Sequence, residues 1–344
     1  MRSSTTSSPP VRTCRWVVFM GAPSASCPHP AVPGPAAPPG AAAHTAYPAG
    51  VVVCEAWPVT DTSPASADPT SPGERHLALV RRPGPRLAEG LITHIDRQPV
   101  DVERAQRQWE AYVDALHANG WRTVEVAPAD DCADAVFVED TVVVHGDLAV
   151  LTRPGAPSRR AEVDAVEEAV VAAGYRVARI EAPGTLEGGD VLKFGGTVWV
   201  GLGGRSNEEG MRQLAAHLEP AGVQVVGVPF SRVLHLKSGV TALPDGTVVG
   251  HEPLVDDPAV WAGGADPAGD GVGTGHADAG FLPVPEESGA HVVLLGGDRV
   301  LMAADAPRSA QMFRDRGCTV TEVDISEFIK LEGCVTCLSV RLRG

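Results

Sequence analysis

No apolar run in this chain approaches the roughly 18 to 20 residues of a helical membrane span, which excludes an integral membrane protein of that kind. Positive charge is also scarce. The 28 Lys and Arg against 43 Asp and Glu leave a net charge of -15, whereas a nucleic-acid binder needs a basic face to displace counterions. A small cationic substrate suits that balance better. Seven cysteines in 344 residues are too few for a disulfide scaffold, and the odd number leaves at least one thiol over. A reducing, cytoplasmic compartment is expected. Residues 1–72 lack lysine altogether, hold 14 of the 30 prolines and are crowded with Ala, Ser and Gly. Such a segment buries too little apolar surface to offset its ordering entropy, so a disordered extension is expected there. Arg2, Arg12 and Arg15 ahead of the apolar stretch 16–20 imitate a leader, but that stretch is short and a proline soon follows. Residues 73–344, rich in Val, Leu and Ala, are long enough for one folded domain with a substantial core.

That domain repeats itself. Amphipathic helices are expected at 102–118, 159–173, 207–218 and 307–315, each followed by a β-branched strand, at 121–127, 175–182, 223–228 and 318–323. Between units lie paired short strands with Gly-containing turns at Gly146, Gly196, Gly246 and Gly296-Gly297. A spacing of about 50 residues belongs to arrays and closed rings rather than doubly wound sheets. A degenerate unit spans 256–285, with a Gly/Ala/Asp-rich surface insertion at 263–280. The lone strand 76–80 closes the ring if it pairs with the C-terminal end. The expected architecture is α/β, five αβ units around an axis. Along the second helix, Val163, Val166, Ala169 and Val170 form the apolar stripe, leaving Glu162, Asp164, Glu167 and Glu168 for a solvated face.

Four segments carry chemistry. Residues 134–140 hold Asp134, Glu139 and Asp140 in a β-like apolar context; 183–190 place Glu187 beside a glycine pair; His235 sits between two leucines; Cys334 and Cys337 close the chain. Each has an ordinary explanation. Buried carboxylates form structural ion pairs, a lone histidine is more often a core residue, and buried cysteines are usually inert. The Cys-x-x-Cys spacing lacks the second pair a structural zinc needs, and its place in a strand-like terminus does not suit a thioredoxin-type redox motif. The combination is stronger. Successive units supply Glu187, His235 and Cys337, and a thiol needs a base while a histidine needs a carboxylate to hold its tautomer. Asp134, Glu139 and Asp140 then suit a planar cation.

At these residues the chain resembles the dimethylarginine dimethylaminohydrolases, within the guanidine-modifying superfamily of five-bladed αβ propellers. The resemblance covers about residues 76–344 and rests on Phe137-Val138-Glu139-Asp140, on Thr152-Arg153-Pro154-Gly155 with Ser158-Arg159-Arg160, on residues 181–190, on His235-Leu236-Lys237-Ser238-Gly239 and on Val335-Thr336-Cys337-Leu338-Ser339. It implies a five-bladed αβ propeller with pseudo-fivefold symmetry as the catalytic domain. It also implies Cys337 as nucleophile, His235 as general acid and base, and Glu187 as the carboxylate orienting it. Asp140 matches the acid that grips the guanidinium, with Phe137 and Glu139 beside it. Asp134, Arg159 and Arg205 match residues holding the amino-acid end, and Leu91 lies in a lid-like stretch that Gly90 lets hinge. One departure stands out: a glycine pair commonly precedes the catalytic strand in this family, whereas here Gly333 is followed by Cys334.

The implied reaction hydrolyses methylated arginine to citrulline and an amine through a covalent thiouronium-like intermediate. It implies a small cationic amino-acid substrate, no metal and no cofactor, and leaves room for a homodimer. Arginine deiminase chemistry on unmethylated arginine is the nearest alternative, amidinotransferase chemistry a more distant one. A non-catalytic amino-acid-binding or interaction propeller is a third reading.

Overall fold

The computed structural model describes residues 76–194, 196–262 and 280–342, all within the unit Ser66–Gly344. The tail expected over 1–72 and nearly all of the 263–280 insertion lie outside the described residues.

Short Val- and Leu-rich runs, too brief to bury themselves alone, recur in one pattern. Strand β1 (Leu77–Val80) is followed by helix α1 (Val102–Ala118) and β2 (Arg122–Glu125). The hairpin β3 (Val142–His145) and β4 (Leu148–Leu151) leads through α2 (Asp164–Ala172) to β5 (Arg176–Arg179). Next come β6 (Val191–Phe194), β7 (Thr197–Leu202), α3 (Glu208–Leu218) and β8 (Gln224–Pro229). The fourth unit is β9 (Val240–Ala242), β10 (Val248–Gly250), α4 (Ala259–Ala262) and β11 (Phe281–Pro283). The last is β12 (Val293–Gly296), β13 (Arg299–Ala303), α5 (Pro307–Asp315) and β14 (Thr319–Val323), and a short helix α6 (Ser326–Ile329) precedes β15 (Val340–Leu342).

In each complete unit the middle strand pairs antiparallel with its hairpin partner and parallel with the strand beyond the helix. The helix is the crossover that a parallel pair requires. Strand β1 does the same with partners from both ends of the folded segment, antiparallel to β15 and parallel to β2, with Leu77 opposite Leu342 and Arg122. The five three-stranded sheets are separate, and no hydrogen-bonded barrel joins them among the described residues. Gly146 (φ 54°) and Gly246 (φ 85°) occupy the left-handed turn positions that their hairpins need. Central strand β4 is buried throughout, whereas β5 exposes Arg176 and Arg179. Charge on such an edge discourages pairing with another chain.

Apolar side chains of neighbouring units form shared clusters. Val340 and Leu342 join Val142 and Leu151; Val143 and Val150 join Val191 and Val200; Leu192 and Trp199 join Val240 and Val248. Leu243 and Val249 join Val292 and Val300, and Val293 and Leu301 join Ala78 and Val80 of the first sheet. Among the described residues no helix is long and apolar enough to cross a membrane.

Two local differences from expectation shape the site. Residues 134–140 are not strand-like; they form turns leading into the 3-10 helix Val138–Thr141. The expected helix at 159–173 begins as a 3-10 helix, Pro157–Val163, and only Asp164–Ala172 is α-helical. Three residues per turn put Arg159 and Glu162 on one side. Glu162, assigned to a solvated face by the α-helical period, is therefore buried.

Candidate active site

Burying a histidine between leucines is costly unless its polar ring atoms are satisfied. His235 lies just before the 3-10 helix Leu236–Ser238, and its Nε2 donates to Glu187 Oε2 at 2.7 Å. Glu187, fully buried, also accepts from the Gly155 amide at 3.0 Å through its other oxygen. Burial opposes charge on the imidazole, but Asp140, Asp190 and Glu187 outweigh it and raise the His235 pKa to about 9. Burial likewise opposes charge on Glu187, yet His235, Arg159 and Arg205 hold its pKa far below the usual carboxylate range. The pair is thus an imidazolium and a carboxylate at neutral pH.

The glycine pair Gly188-Gly189 serves close approach rather than flexibility. A Cβ on Gly189 would lie 2.7 Å from Asp140 Oδ1 and from the His235 ring, and the Gly189 amide donates to Asp140 Oδ1 at 2.8 Å. The other oxygen of Asp140 accepts from Arg159 Nη1 at 2.8 Å. Arg159 is deeply committed: Nε and Nη2 bind Glu162, and Nη2 also reaches the carbonyls of Asp134 and Phe137. Burial alone would lower its pKa, but Glu162 and Asp140 overcome this and raise it well above the ordinary arginine value. In this arrangement its guanidinium is occupied by Glu162, Asp140 and those carbonyls. Arg205 differs. Its Nη1 is buried without a hydrogen-bond partner among the described residues, 3.5 Å from Glu187 Oε2.

Cys337 lies in a turn before β15, not in a strand as expected. Helix α1 braces that turn: Tyr112 donates its hydroxyl to the Val335 carbonyl at 2.9 Å and meets Ser339 Oγ at 2.8 Å. The Cys334 amide donates to Cys337 Sγ at 3.4 Å, and the two sulfurs are 3.2 Å apart. The neighbouring Cys334 sulfur, burial, and the negative charges of Glu139 and Asp140 push the Cys337 thiol well above the ordinary cysteine value. A bound cation would reverse that electrostatic balance.

These groups meet at one cavity, bordered by Leu91, Asp134, Phe137, Asp140, Arg159, Arg205, His235 and Cys337. Glu187 stands behind His235. Glu139 faces elsewhere: Lys237 Nζ donates to its Oε1 at 2.5 Å and Thr336 to its Oε2 at 2.8 Å, and it borders a second cavity. Next to Asp140 in sequence, Glu139 is drawn by Lys237 and Thr336 to the opposite face. The first cavity measures about 20 Å³, room for one water-sized molecule. Leu91, one of its bordering residues, donates its amide to both oxygens of Asp134. Burial raises the Asp134 pKa, while Arg159, the Leu91 amide and Arg205 work against the rise.

Three contributors escaped the sequence reading. Asp190 accepts from the Leu236 amide at 3.0 Å and from Ser206 Oγ at 2.6 Å, while Ser206 Oγ accepts the Glu187 amide at 3.0 Å. Together they fix both members of the His235–Glu187 pair. Burial raises the Asp190 pKa to about 6 against the pull of His235. Glu332 accepts the amides of Thr93 and His94 at 2.7 and 2.6 Å, tying the stretch after Leu91 to the cysteine-bearing segment. Ligand atoms of Asp140, Glu187 and His235 lie within 4.8 Å of one another, a spacing that suits a metal ion, but Arg159 and the imidazolium already answer those carboxylates with positive charge.

Three relatives match this arrangement of chain and fold. The N(G),N(G)-dimethylarginine dimethylaminohydrolase of Streptomyces coelicolor is 60% identical over 266 residues, covering 77% of this chain and 96% of that protein. The Pseudomonas aeruginosa enzyme, solved as a cysteine-to-serine mutant complexed with citrulline, superposes with a TM-score of 0.68 at 34% identity, over 77% of this chain and 98% of that one. A histidine-to-glycine dimethylarginine dimethylaminohydrolase, solved as an adduct with S-methyl-L-thiocitrulline, also gives 0.68, at 33% identity over 77% of this chain and 99% of that one. No family model matches the chain. With the repeated three-stranded units and this degree of identity over nearly the whole of a relative, the chain belongs to the dimethylarginine dimethylaminohydrolase family.

Proposed function

We propose that this protein hydrolyses N-omega-methylated arginine, asymmetric dimethylarginine and monomethylarginine, to citrulline and dimethylamine or methylamine. The observation that carries the reading is the buried imidazolium–carboxylate pair, His235 with Glu187 at 2.7 Å, on the same small cavity as the Cys337 thiol. In this reading residues 73–344 form the catalytic domain, and the five sheets are the blades of a propeller with pseudo-fivefold symmetry. The apolar clusters support that arrangement, since they link each unit to the next and the fifth to the first.

Entry of the substrate requires the Leu91 cover to lift. The guanidinium replaces Arg159 at Asp140, which frees Nη1 of that arginine to meet the substrate carboxylate beside Arg205 while Glu162 keeps its hold on Nε and Nη2. Asp134 takes the α-ammonium group. The substrate's positive charge lowers the Cys337 thiol pKa so that the thiol releases its proton to solvent, and the thiolate attacks the guanidinium carbon. His235 as imidazolium protonates the departing amine, leaving a thiouronium intermediate on sulfur. Now neutral, it takes a proton from water, whose oxygen adds to the same carbon and expels the sulfur, giving citrulline. Glu187 keeps the ring oriented and stabilises its charged state through both steps. The chemistry uses no metal or cofactor.

Incubation of the purified protein with asymmetric dimethylarginine, monomethylarginine and arginine, with assay of citrulline and each amine, tests this directly. Citrulline with dimethylamine and methylamine is expected, with little ammonia from arginine. Ammonia from arginine alone would turn the reading to a deiminase, and silence on all three from folded protein would overturn it.

A further inference from the structure

The family resemblance leaves Cys334 without a task, and the hydrolysis above does not need it. Its position is nevertheless specific. Cys334 is buried, its Sγ lies 3.2 Å from Cys337 Sγ and 3.2 Å from Thr336 Oγ1, and it does not border the cavity that Cys337 borders. The backbone already holds the two residues in a turn, because the Cys337 amide donates to the Cys334 carbonyl at 3.1 Å. A bond from residue i+3 back to residue i keeps the two Cα atoms within about 7 Å, inside or close to the span of a disulfide. Bonding the sulfurs requires that they close from 3.2 Å to about 2 Å with a Cβ–S–S–Cβ dihedral near 90°.

We propose that Cys334 and Cys337 form a modification site for small peroxides, at which the nucleophile is converted reversibly to an intramolecular disulfide. The inference rests on the reading of Cys337 as nucleophile. Cys337 borders the cavity and Cys334 does not, so although the resting Cys337 thiol is held above the ordinary cysteine value, the oxidant reaches Cys337 first. Its thiolate fraction takes one oxygen from the peroxide, giving a sulfenic acid and, from hydrogen peroxide, water. The Cys334 sulfur then attacks the Cys337 sulfur and a second water leaves. Two thiols have lost two electrons and two protons, and the peroxide has been reduced to two waters. The turn makes this second step intramolecular, so it outruns further oxidation of Cys337 to the irreversible sulfinic acid. A dithiol reductant restores both thiols by exchange. The product citrulline, occupying the cavity, shields Cys337 and slows the first step.

The test treats the full-length protein with hydrogen peroxide, with and without citrulline, and follows activity alongside peptide mapping of the cysteines. The expected result is a 334–337 cross-linked peptide about 2 Da lighter than its reduced form, activity down about tenfold or more, and recovery with dithiothreitol. The Cys334→Ser variant, scored as the ratio of activity after and before treatment, should lose activity without recovery and accumulate sulfinic acid at Cys337. Equal recovery in Cys334→Ser and the parent, or loss of activity with no cross-link in the parent, would overturn the proposal while leaving the nucleophile assignment intact. A complete cross-link with undiminished turnover would overturn both.

Discussion

Two cavities share one wall in this protein, and the smaller one gathers the groups proposed to do the chemistry. The larger, about 290 Å³, is bordered mainly by the valines of β3 and by residues of β6, β9 and β12, with Glu139, Lys193, Lys237 and Arg341 among them. The smaller, about 20 Å³, concentrates buried acid, base and thiol. The wall alternates residue by residue: Glu139 and Thr336 face the larger cavity, Asp140 and Cys337 the smaller. Volume is the usual guide to a ligand site. Here the density of opposed, desolvated charge is the better guide, because those charges hold one another in place and resist collapse.

Substitutions on either side of the wall sharpen that contrast. Cys337→Ser should lower kcat by about 10³-fold or more with an unchanged melting temperature, whereas Thr336→Ala should cost far less turnover. Comparable losses from both would erase the distinction between the faces. Next in size, Asp140→Asn should reduce kcat/KM by about 10²-fold, since in the proposed mechanism it removes the acid that meets the guanidinium. Glu139→Gln should reduce it less than about tenfold while lowering stability by about 1–3 kcal/mol through the weakened Lys237 and Thr336 contacts, read by urea denaturation. Arg205→Ala should raise KM by about 10- to 100-fold with a smaller change in kcat, the pattern of a lost ground-state anchor. An unaltered KM would remove Arg205 from the binding of the carboxylate.

The charged pair also predicts a pH dependence confined to the smaller cavity. Folding raises the His235 pKa from its ordinary value near 6.5 to about 9. Protonation is therefore favoured in the folded state, and the stabilisation is complete below about pH 6.5 and lost as pH rises through about 9. Melting temperature measured from pH 6.5 to 9.5 should fall more steeply in the parent than in His235→Asn. Equal slopes would contradict the imidazolium assignment. The smallest effect is expected at Glu332→Gln, which weakens but does not remove the grip on Thr93 and His94. A change of about two- to fivefold in KM is the anticipated size, from a fraction of one hydrogen bond to charge.

Much of this was legible before any coordinates. Glycine-bearing turns, the 3.6-residue period and the spacing of units indicated the five sheets, because each signal is local. His235 stands out between two leucines, Glu187 beside a glycine pair and Cys337 in a terminal pair of thiols, and it is the family resemblance that assigns the three their roles. Glu162, Asp190, Ser206 and Glu332 do not stand out. Each acts through side-chain hydrogen bonds between loops distant in sequence, and such bonds leave no periodicity. The α-helical period misplaced Glu162 because its segment winds as a 3-10 helix. The facing of Glu139 depended on Lys237, a partner 98 positions away.

The central claim is a covalent bond between Cys337 and the substrate's guanidinium carbon. Acid quenching during steady-state turnover of monomethylarginine, followed by peptide mass spectrometry, addresses it most directly. The account predicts a thiouronium adduct on the peptide containing Cys337, located on that sulfur and absent from Cys337→Ser. An adduct on Cys334 instead, or active turnover in Cys337→Ser, would contradict it.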